Sequence, residues 1–424
     1  MESFTLSNGL RVVYVPMDRR SVLVTLKGNV GRRAEHETEV GAAHFLEHLL
    51  FDGTERMSTS QELARFTQAH GIRRNGVTSA EHVEYWASGA RSQVEYIFSY
   101  LGDITQHSLL RQEDIVKERK VIAQEAALRK TDPASALSRM VLRDVIANNH
   151  PLGRTIFQDE EFLASMTSDV LRGYMQRVYG AENFVLGIGG GISESDARRF
   201  AEQSFNSFPT LGAATPPSPA RLREGSYTRW YERDIEQAQV EMVLPGIGRV
   251  HPDALTYVTR AMVFGRIFAQ GSASHLYQRV REQEHLVYHI GGDSDMFSDI
   301  GLWSISFAAT SENIPKVFSA ICDEATHFLQ RGVSREELES AKVPLLTGLE
   351  MSLDSYDSIL DAHMNALLTN VEFWSVDMLM EHIRNVTPED IMFFARELFA
   401  MPCKTYILGR KEAHVPGPDR LVNA

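Results

Sequence analysis

The chain has few cysteines, no long apolar run and a deficit of positive charge. Its 424 residues include only Cys322 and Cys403, too few for a disulfide framework or a cluster of thiolate metal ligands. No apolar stretch approaches the roughly 20 residues that a membrane-spanning helix needs. The formal net charge of -13 argues against a nucleic-acid-binding surface. We expect no membrane and no nucleic-acid partner, and a cytoplasmic location by default, because no apolar targeting segment opens the sequence.

The chain does contain the segment His44-Phe45-Leu46-Glu47-His48. On a helix, residues four apart share a face, so His44 and His48 can direct ring nitrogens at one metal ion, with Glu47 alongside as a base. The order HxxEH inverts HExxH and is its own class of zinc peptidase signature. The alternative is chance, because the chain has 15 His and 56 acidic residues. The apolar flanks favour a buried helix, in which paired imidazoles need a partner such as a metal.

A catalytic zinc site needs a third protein ligand, normally an imidazole or a carboxylate, and leaves its last position for water. With two cysteines in the whole chain, the metal site must rest on His and carboxylate side chains.

Apolar periodicity predicts two copies of one α+β arrangement. In the first half, predicted strands precede the HxxEH helix, further strands and a long helical region follow it, and a strand and a helix close the half. This order predicts helices packed on one face of a mainly antiparallel sheet. Residues 211–225 hold a dense run of Pro, Ala and Gly and are predicted to be a linker. The element order then repeats, which predicts two homologous domains over residues 1–210 and 226–424.

The register that pairs Gly53-Thr54 with Gly271-Ser272 aligns the two halves. On this register, Met262, Gly265 and Arg266 take the positions of His44, Glu47 and His48, in that order. We therefore expect a second domain without metal ligands.

The segment 41–54 resembles the active-site block of the pitrilysin family of inverted zinc peptidases, which includes insulin-degrading enzyme, mitochondrial processing peptidase and bacterial single-chain forms. The resemblance covers nearly the whole chain. In this family a later helix carries Glu-Arg-x-Val-x-x-x-Glu, which Glu118 to Glu125 match. The resemblance implies that Glu125 joins His44 and His48 in holding one Zn²⁺ per chain, and that Glu118 is a catalytic acid behind the ligands. Without it, either glutamate would be a solvated helix residue.

The resemblance also implies substrate-binding residues. Within residues 271–288, Arg281 and Tyr288 match a pair that holds the substrate, the alternative being an exposed ion pair and a core tyrosine. Asn75 matches an edge strand that pairs with extended substrate backbone, although Asn75-Gly76 is also a turn dipeptide. Two departures stand out: Gly76 replaces the family's usual Ala, and His285 stands where the family usually has Gly.

These features predict a zinc-dependent endopeptidase that cleaves peptides or unfolded polypeptides in an enclosed chamber, with Glu47 as the general base that deprotonates the attacking water. The alternatives are a non-catalytic partner or structural subunit of the same family, and a dedicated leader-peptide processing peptidase. Because the metal block and the Arg/Tyr block occur in one chain, a homodimer is the expected assembly, with a heterodimer with a homologous subunit as the alternative.

Overall fold

The computed structural model of the chain describes residues 2–155, 160–212, 218–410 and 416–422. Residues 213–217 of the predicted linker lie outside the described residues. Within the described ranges, no helix is both long and apolar enough to cross a bilayer.

The first half forms a six-stranded sheet in the order β1-β2-β6-β3-β5-β4. All neighbouring strands are antiparallel except β2 and β6, which are parallel. The strands are β1 Glu2–Thr5, β2 Arg11–Pro16, β3 Ser21–Gly28, β4 Arg73–Thr78, β5 Val83–Ala90 and β6 Phe184–Gly190. The helices are α1 Ala42–Leu49, α2 Ser60–Ala69, α3 Val94–Gln106, α4 Gln112–Thr131, α5 Pro133–Val145, α6 Glu160–Ser165, α7 Ser168–Val178 and α8 Glu194–Phe205.

The second half forms a five-stranded sheet in the order β7-β11-β8-β10-β9, with one parallel pair, β7 and β11. Its strands are β7 Tyr227–Glu232, β8 Ala238–Ile247, β9 Ile290–Met296, β10 Ile300–Ala309 and β11 Lys404–Gly409. Its helices are α9 Ala254–Phe268, a π-helical segment Tyr277–Gln283, α10 Ile314–Arg331, α11 Arg335–Ser352, α12 Tyr356–Thr369, α13 Val376–Asn385 and α14 Pro388–Ala400.

The two sheets share one topology. In both, the strands β2 to β6 and β7 to β11 lie in the spatial order first, last, second, fourth, third, with the first and last strands parallel. The predicted fold class, two similar domains with mainly antiparallel sheets and packed helices, is confirmed.

The first sheet is covered on both faces, which differs from the single covered face predicted. One face, with Val12, Val24 and Leu26, packs in the main core with residues of α1, α3 and α8. Leu360 and Met364 of α12 pack on the opposite face. Gly187 and Gly189 of β6 permit this close approach, because a Cβ at either position would come within 3 Å of an α12 side chain.

Two compact units result, and each draws a helix from the opposite half of the sequence. The first comprises Met1–Arg129, Arg154–Ser218 and Ser352–Phe373, and therefore includes α12. The second comprises Lys130–Gly153, Pro219–Met351 and Trp374–Ala424, and therefore includes α5. The predicted domains were contiguous, because sequence patterns show amphipathic helices but not which sheet each helix covers.

A buried carboxylate attaches α5 to the second sheet. Asp144 accepts hydrogen bonds from the hydroxyls of Tyr406 at 3.0 Å and Tyr227 at 3.2 Å, and its Oδ2 lies 2.7 Å from Nε of Arg229. Its side chain is 11% exposed, so solvent screens these contacts weakly.

Replacing Asp144 with Ala is expected to destabilise the second unit by about 2 kcal/mol, because the buried hydroxyl of Tyr406 and the partly buried hydroxyl of Tyr227 lose an acceptor, while Arg229 is exposed and can turn to water. Urea denaturation measures the effect. Asp234→Ala is the matched control: Asp234 pairs with Arg410 at 2.6 Å but is 87% exposed, so its loss should cost less than about 1 kcal/mol. Equal shifts for the two variants would contradict the attachment role.

Candidate metal centre and active site

The helix that carries HxxEH is capped by a carboxylate that lies several residues before it in the sequence. Gly41 precedes α1 with φ of +98°, a left-handed conformation that favours glycine, and has no side chain to cap the helix. The carboxylate of Glu35 accepts the backbone N–H of Gly41 at 2.9 Å and of Ala43 at 3.0 Å. Burial raises the pKa of Glu35 to about 7, although these two hydrogen bonds and Arg32 oppose the shift. Glu35 thus anchors the first turn of α1, at the end where the helix dipole favours an anion.

The two histidines of α1 point at a common position. His44 and His48 are one turn apart, and their ring centroids lie 4.8 Å apart with the planes at 89°. Their Nε2 atoms are 3.3 Å apart. His44 is buried and the His48 side chain is 16% exposed, so the pair lies at the edge of the core.

Glu125, on α4, completes a three-residue donor set. Its Oε2 lies 3.8 Å from His44 Nε2 and 3.7 Å from His48 Nε2. All three donor atoms lie within 4.8 Å of one another, and this is the metal-compatible group found among the described residues. Tetrahedral zinc with bonds of about 2.0–2.2 Å sets its ligand atoms about 3.3–3.6 Å apart. The measured separations fit that ion within a few tenths of an ångström.

Glu118, two turns before Glu125, orients one imidazole. Its Oε2 lies 2.9 Å from His48 Nδ1, so a proton on Nδ1 is donated to the carboxylate and the Nε2 lone pair faces His44 and Glu125. Burial lowers the pKa of His48, but the hydrogen bond to Glu118 and the nearby charges of Glu125 and Glu47 outweigh it, and the net shift is upward. This concentration of carboxylates favours a cation at the imidazoles.

Glu47 lies on the same helix, against strand β4. A Cβ at Gly76 would come within 2.8 Å of Glu47 Cγ and 3.2 Å of the Phe51 ring, so glycine at this position leaves room for the glutamate side chain. Across the described part of the chain, no group donates a hydrogen bond to the Glu47 carboxylate. Gly76, where the family usually has Ala, thus lets the predicted base lie against the strand. Because no described group donates to its carboxylate, Glu47 can accept a proton.

Strand β4 is the outer strand of the first sheet, and β5 is its one strand partner among the residues that the structure describes. Asn75 is exposed on this strand, opposite Trp86 of β5, and belongs to regular strand structure rather than to a turn. The other edge of β4 is therefore available to an extended chain by strand addition.

Arg281 and Tyr288 lie close together in the second unit. The Arg281 guanidinium is 5.1 Å from the Tyr288 ring centroid and 4.6 Å from that of Tyr277. Tyr288 is 84% exposed, which excludes the core tyrosine that was the alternative. His285 between them has φ of +52°, so the turn keeps the left-handed conformation that explains the family's Gly at this position.

The described residues of the second unit contain no donor set like that of His44, His48 and Glu125. Its α9 carries Met262, Gly265 and Arg266 at the positions predicted from the register, and none of these offers a metal ligand with HxxEH geometry.

Sequence reasoning missed Glu35 and Arg74. Glu35 caps α1 from six residues before Gly41, whereas capping patterns look for an acceptor next to the helix. Arg74 stacks its guanidinium 4.6 Å from the Phe51 ring centroid, a contact between a strand and the turn after α1 that no local pattern signals.

Two family models match most of the chain. Residues 11–160 match the model described as Insulinase (Peptidase family M16), and residues 165–345 match the one described as Peptidase M16 inactive domain. The chain belongs to peptidase family M16. The resemblance to the pitrilysin family is thereby confirmed, and the inactive-domain match begins after HxxEH and extends into the second half.

Curated relatives extend the similarity over the full length. An uncharacterized zinc protease of Mycobacterium leprae is 28% identical over 411 residues, covering 96% of this chain and 91% of that protein. A probable mitochondrial-processing peptidase subunit beta of Schizosaccharomyces pombe is 29% identical over 416 residues, covering 94% of this chain and 88% of that protein.

Solved structures share the M16 fold. A protease from Helicobacter pylori superposes with a TM-score of 0.87 at 19% identity, covering 96% of this chain and 98% of that one. An M16-like peptidase from Alicyclobacillus acidocaldarius gives a TM-score of 0.82 at 20% identity, covering 97% of this chain and 98% of that one. At these identities the likeness concerns the fold.

Proposed function

We propose that the chain is a zinc-dependent endopeptidase that hydrolyses peptides or unfolded polypeptides. The observation that carries the proposal is the donor set of His44, His48 and Glu125, whose atoms have about the separations of a tetrahedral zinc site. Glu47 lies on the helix of the two histidines, and no described residue donates a hydrogen bond to its carboxylate. The M. leprae relative is named a zinc protease, which supports the choice of metal.

Each side chain then has a defined task. His44, His48 and Glu125 would hold zinc, which when bound supplies positive charge that polarises the scissile carbonyl and makes water a better acid. Glu47 accepts the proton of the attacking water and can return it to the leaving amine. Glu118 keeps the His48 ring in position through its hydrogen bond to Nδ1.

Substrate binding is proposed to use backbone pairing. An extended substrate would add to the open edge of β4 near Asn75, which gives affinity with little dependence on side chains. Arg281 and Tyr288 would hold the substrate backbone, as the family resemblance implies.

A homodimer is proposed because one chain carries both the metal block and the Arg/Tyr block, and a heterodimer with a homologous subunit is the alternative. A mass measurement in solution distinguishes these assemblies, and a stable, active monomer would overturn both.

Metal analysis combined with a cleavage screen tests the proposed activity. We expect about one zinc per chain, cleavage of quenched peptides from a diverse library, loss of cleavage with a chelator and recovery on adding zinc. A purified protein with neither zinc nor cleavage would be the non-catalytic subunit. Zinc at full content with cleavage of leader peptides alone would favour a dedicated processing peptidase, the function that the S. pombe relative's name suggests.

A further inference from the structure

Strand β4 presents two consecutive arginines beside the candidate active site. Arg73 and Arg74 begin the strand, and neighbouring strand residues face opposite sides of the sheet. Arg74 is on the same side as Gly76, the residue whose Cβ would meet Glu47. Residues two apart on a strand are about 6.6–6.8 Å apart. The Arg74 side chain therefore leaves β4 two residues from Gly76, the position that contacts the proposed base. The Arg73 side chain leaves the opposite face of the strand.

The charge of Arg74 has no carboxylate partner among the described residues. Its guanidinium rests on the Phe51 ring at 4.6 Å from the centroid, and both side chains are half-buried. Asp103, whose charge acts on Tyr100, is already engaged, since it accepts a hydrogen bond from the Thr54 hydroxyl at 2.7 Å and lies 3.6 Å from Nε of Arg56.

A second donor without an acceptor lies near Arg74. Tyr100 is fully buried, and within the ranges that the structure covers its hydroxyl has no hydrogen-bond partner. Burial raises the pKa of Tyr100, and the positive charge of Arg74 opposes that rise. The guanidinium of Arg74, which is half-buried, suits a ligand that brings an acceptor.

We propose that Arg74 determines specificity and selects substrates with a glutamate or aspartate side chain close to the scissile bond. The inference rests on the proposed function. A substrate strand paired with β4 directs alternate side chains to the Arg74 face, so a carboxylate about two residues from the bond near Glu47 reaches the guanidinium. Arginine binds carboxylates with paired hydrogen bonds, and partial burial strengthens the contact.

Peptides that differ at one position test the inference. A cleavable peptide is made with Glu, Gln or Lys at each of the three positions on either side of its cleaved bond. The wild-type enzyme should prefer Glu over Gln at one position by about tenfold or more in kcat/KM. Arg74→Gln should remove this preference, and Arg74→Glu should reverse it in favour of Lys.

Arg73→Glu is the matched control, because it makes the same charge change one residue away on the opposite face of β4. It should leave the preference for Glu intact. An equal change of preference in the Arg73 variant would overturn the inference, because net charge alone would then be the cause. Arg74→Gln that slows all three peptides equally would also overturn it, since Arg74 would then only support Phe51.

The outcomes also separate the inference from the proposed function. A zinc-loaded wild-type enzyme that cleaves peptides without favouring Glu at any position overturns the specificity assignment and leaves the peptidase intact. A zinc-loaded enzyme that cleaves no peptide overturns both. Should Arg74→Glu not fold, as judged by circular dichroism, Arg74→Gln and Arg74→Lys decide the matter. The lysine variant must retain part of the Glu preference that the glutamine variant loses.

Discussion

The Glu47→Gln variant is expected to retain its zinc and to lose about 10²- to 10⁴-fold of its peptide hydrolysis. Glutamine has nearly the same shape, so it fits the space that Gly76 leaves, but its amide cannot accept a proton. The three donor atoms are not altered, since Glu47 is not among them. The expected signature is therefore a fall in kcat with zinc content unchanged, measured by metal analysis beside a quenched-peptide assay.

Glu55→Gln is the control for removing one negative charge from this region. Glu55 is exposed and lies beyond the end of α1, so this variant should keep wild-type activity. A Glu47→Gln protein that is metal-loaded and fully active would refute the assignment of the base. A variant that has lost zinc would show instead that Glu47 contributes to metal binding.

The Glu125→Gln and Glu118→Gln variants are expected to weaken zinc binding to different extents. Glu125 offers a donor atom 3.7–3.8 Å from both Nε2 atoms, and its amide counterpart is a poor zinc ligand. We expect zinc content far below one per chain and no measurable activity. Glu118 contacts only the outer nitrogen of His48, at 2.9 Å. Its loss should weaken zinc affinity by about 10- to 100-fold, measured by competition with a chelator.

Glu113→Gln provides the control on the same helix. Glu113 lies in the first turn of α4 with its side chain 69% exposed, and its replacement should leave zinc affinity unchanged. The test lies in the order of zinc loss, which should be largest for Glu125→Gln, smaller for Glu118→Gln and absent for Glu113→Gln. If Glu118→Gln loses as much zinc as Glu125→Gln, the division between ligand and orienting residue is wrong.

Local patterns in the sequence predicted most of the helices and strands. The i, i+4 spacing of His44 and His48 sufficed to place both imidazoles on one face of a helix, because helix geometry depends only on neighbouring residues. The linear order of elements likewise predicted two similar domains, and the common strand order of the two sheets confirms the repeat. No sequence pattern predicted strand β11 at Lys404–Gly409, although it lies inside the second sheet, between β7 and β8.

Contacts between distant segments were beyond the reach of these patterns. The packing of α12 on the outer face of the first sheet depends on Gly187 and Gly189, whose role is visible only when Leu360 and Met364 are in place. The cap that Glu35 provides and the stacking of Arg74 on Phe51 are of the same kind. In each case two segments meet because tertiary packing brings them together, and neither segment alone carries the signal.

The sequence by itself determined that this protein has one HxxEH segment, a repeated α+β order of elements and a second half without HxxEH, because these follow from residue spacing and order. Only the tertiary structure decided how the site is assembled. It brings Glu125 within 4 Å of both imidazoles and puts Glu118 beside the Nδ1 atom of His48. It also sets Glu47 against Gly76 of β4, the outer strand that carries Arg74. The physical reason is that a donor set is a matter of distances in space, which the packing of α1 against its neighbours fixes and linear spacing does not.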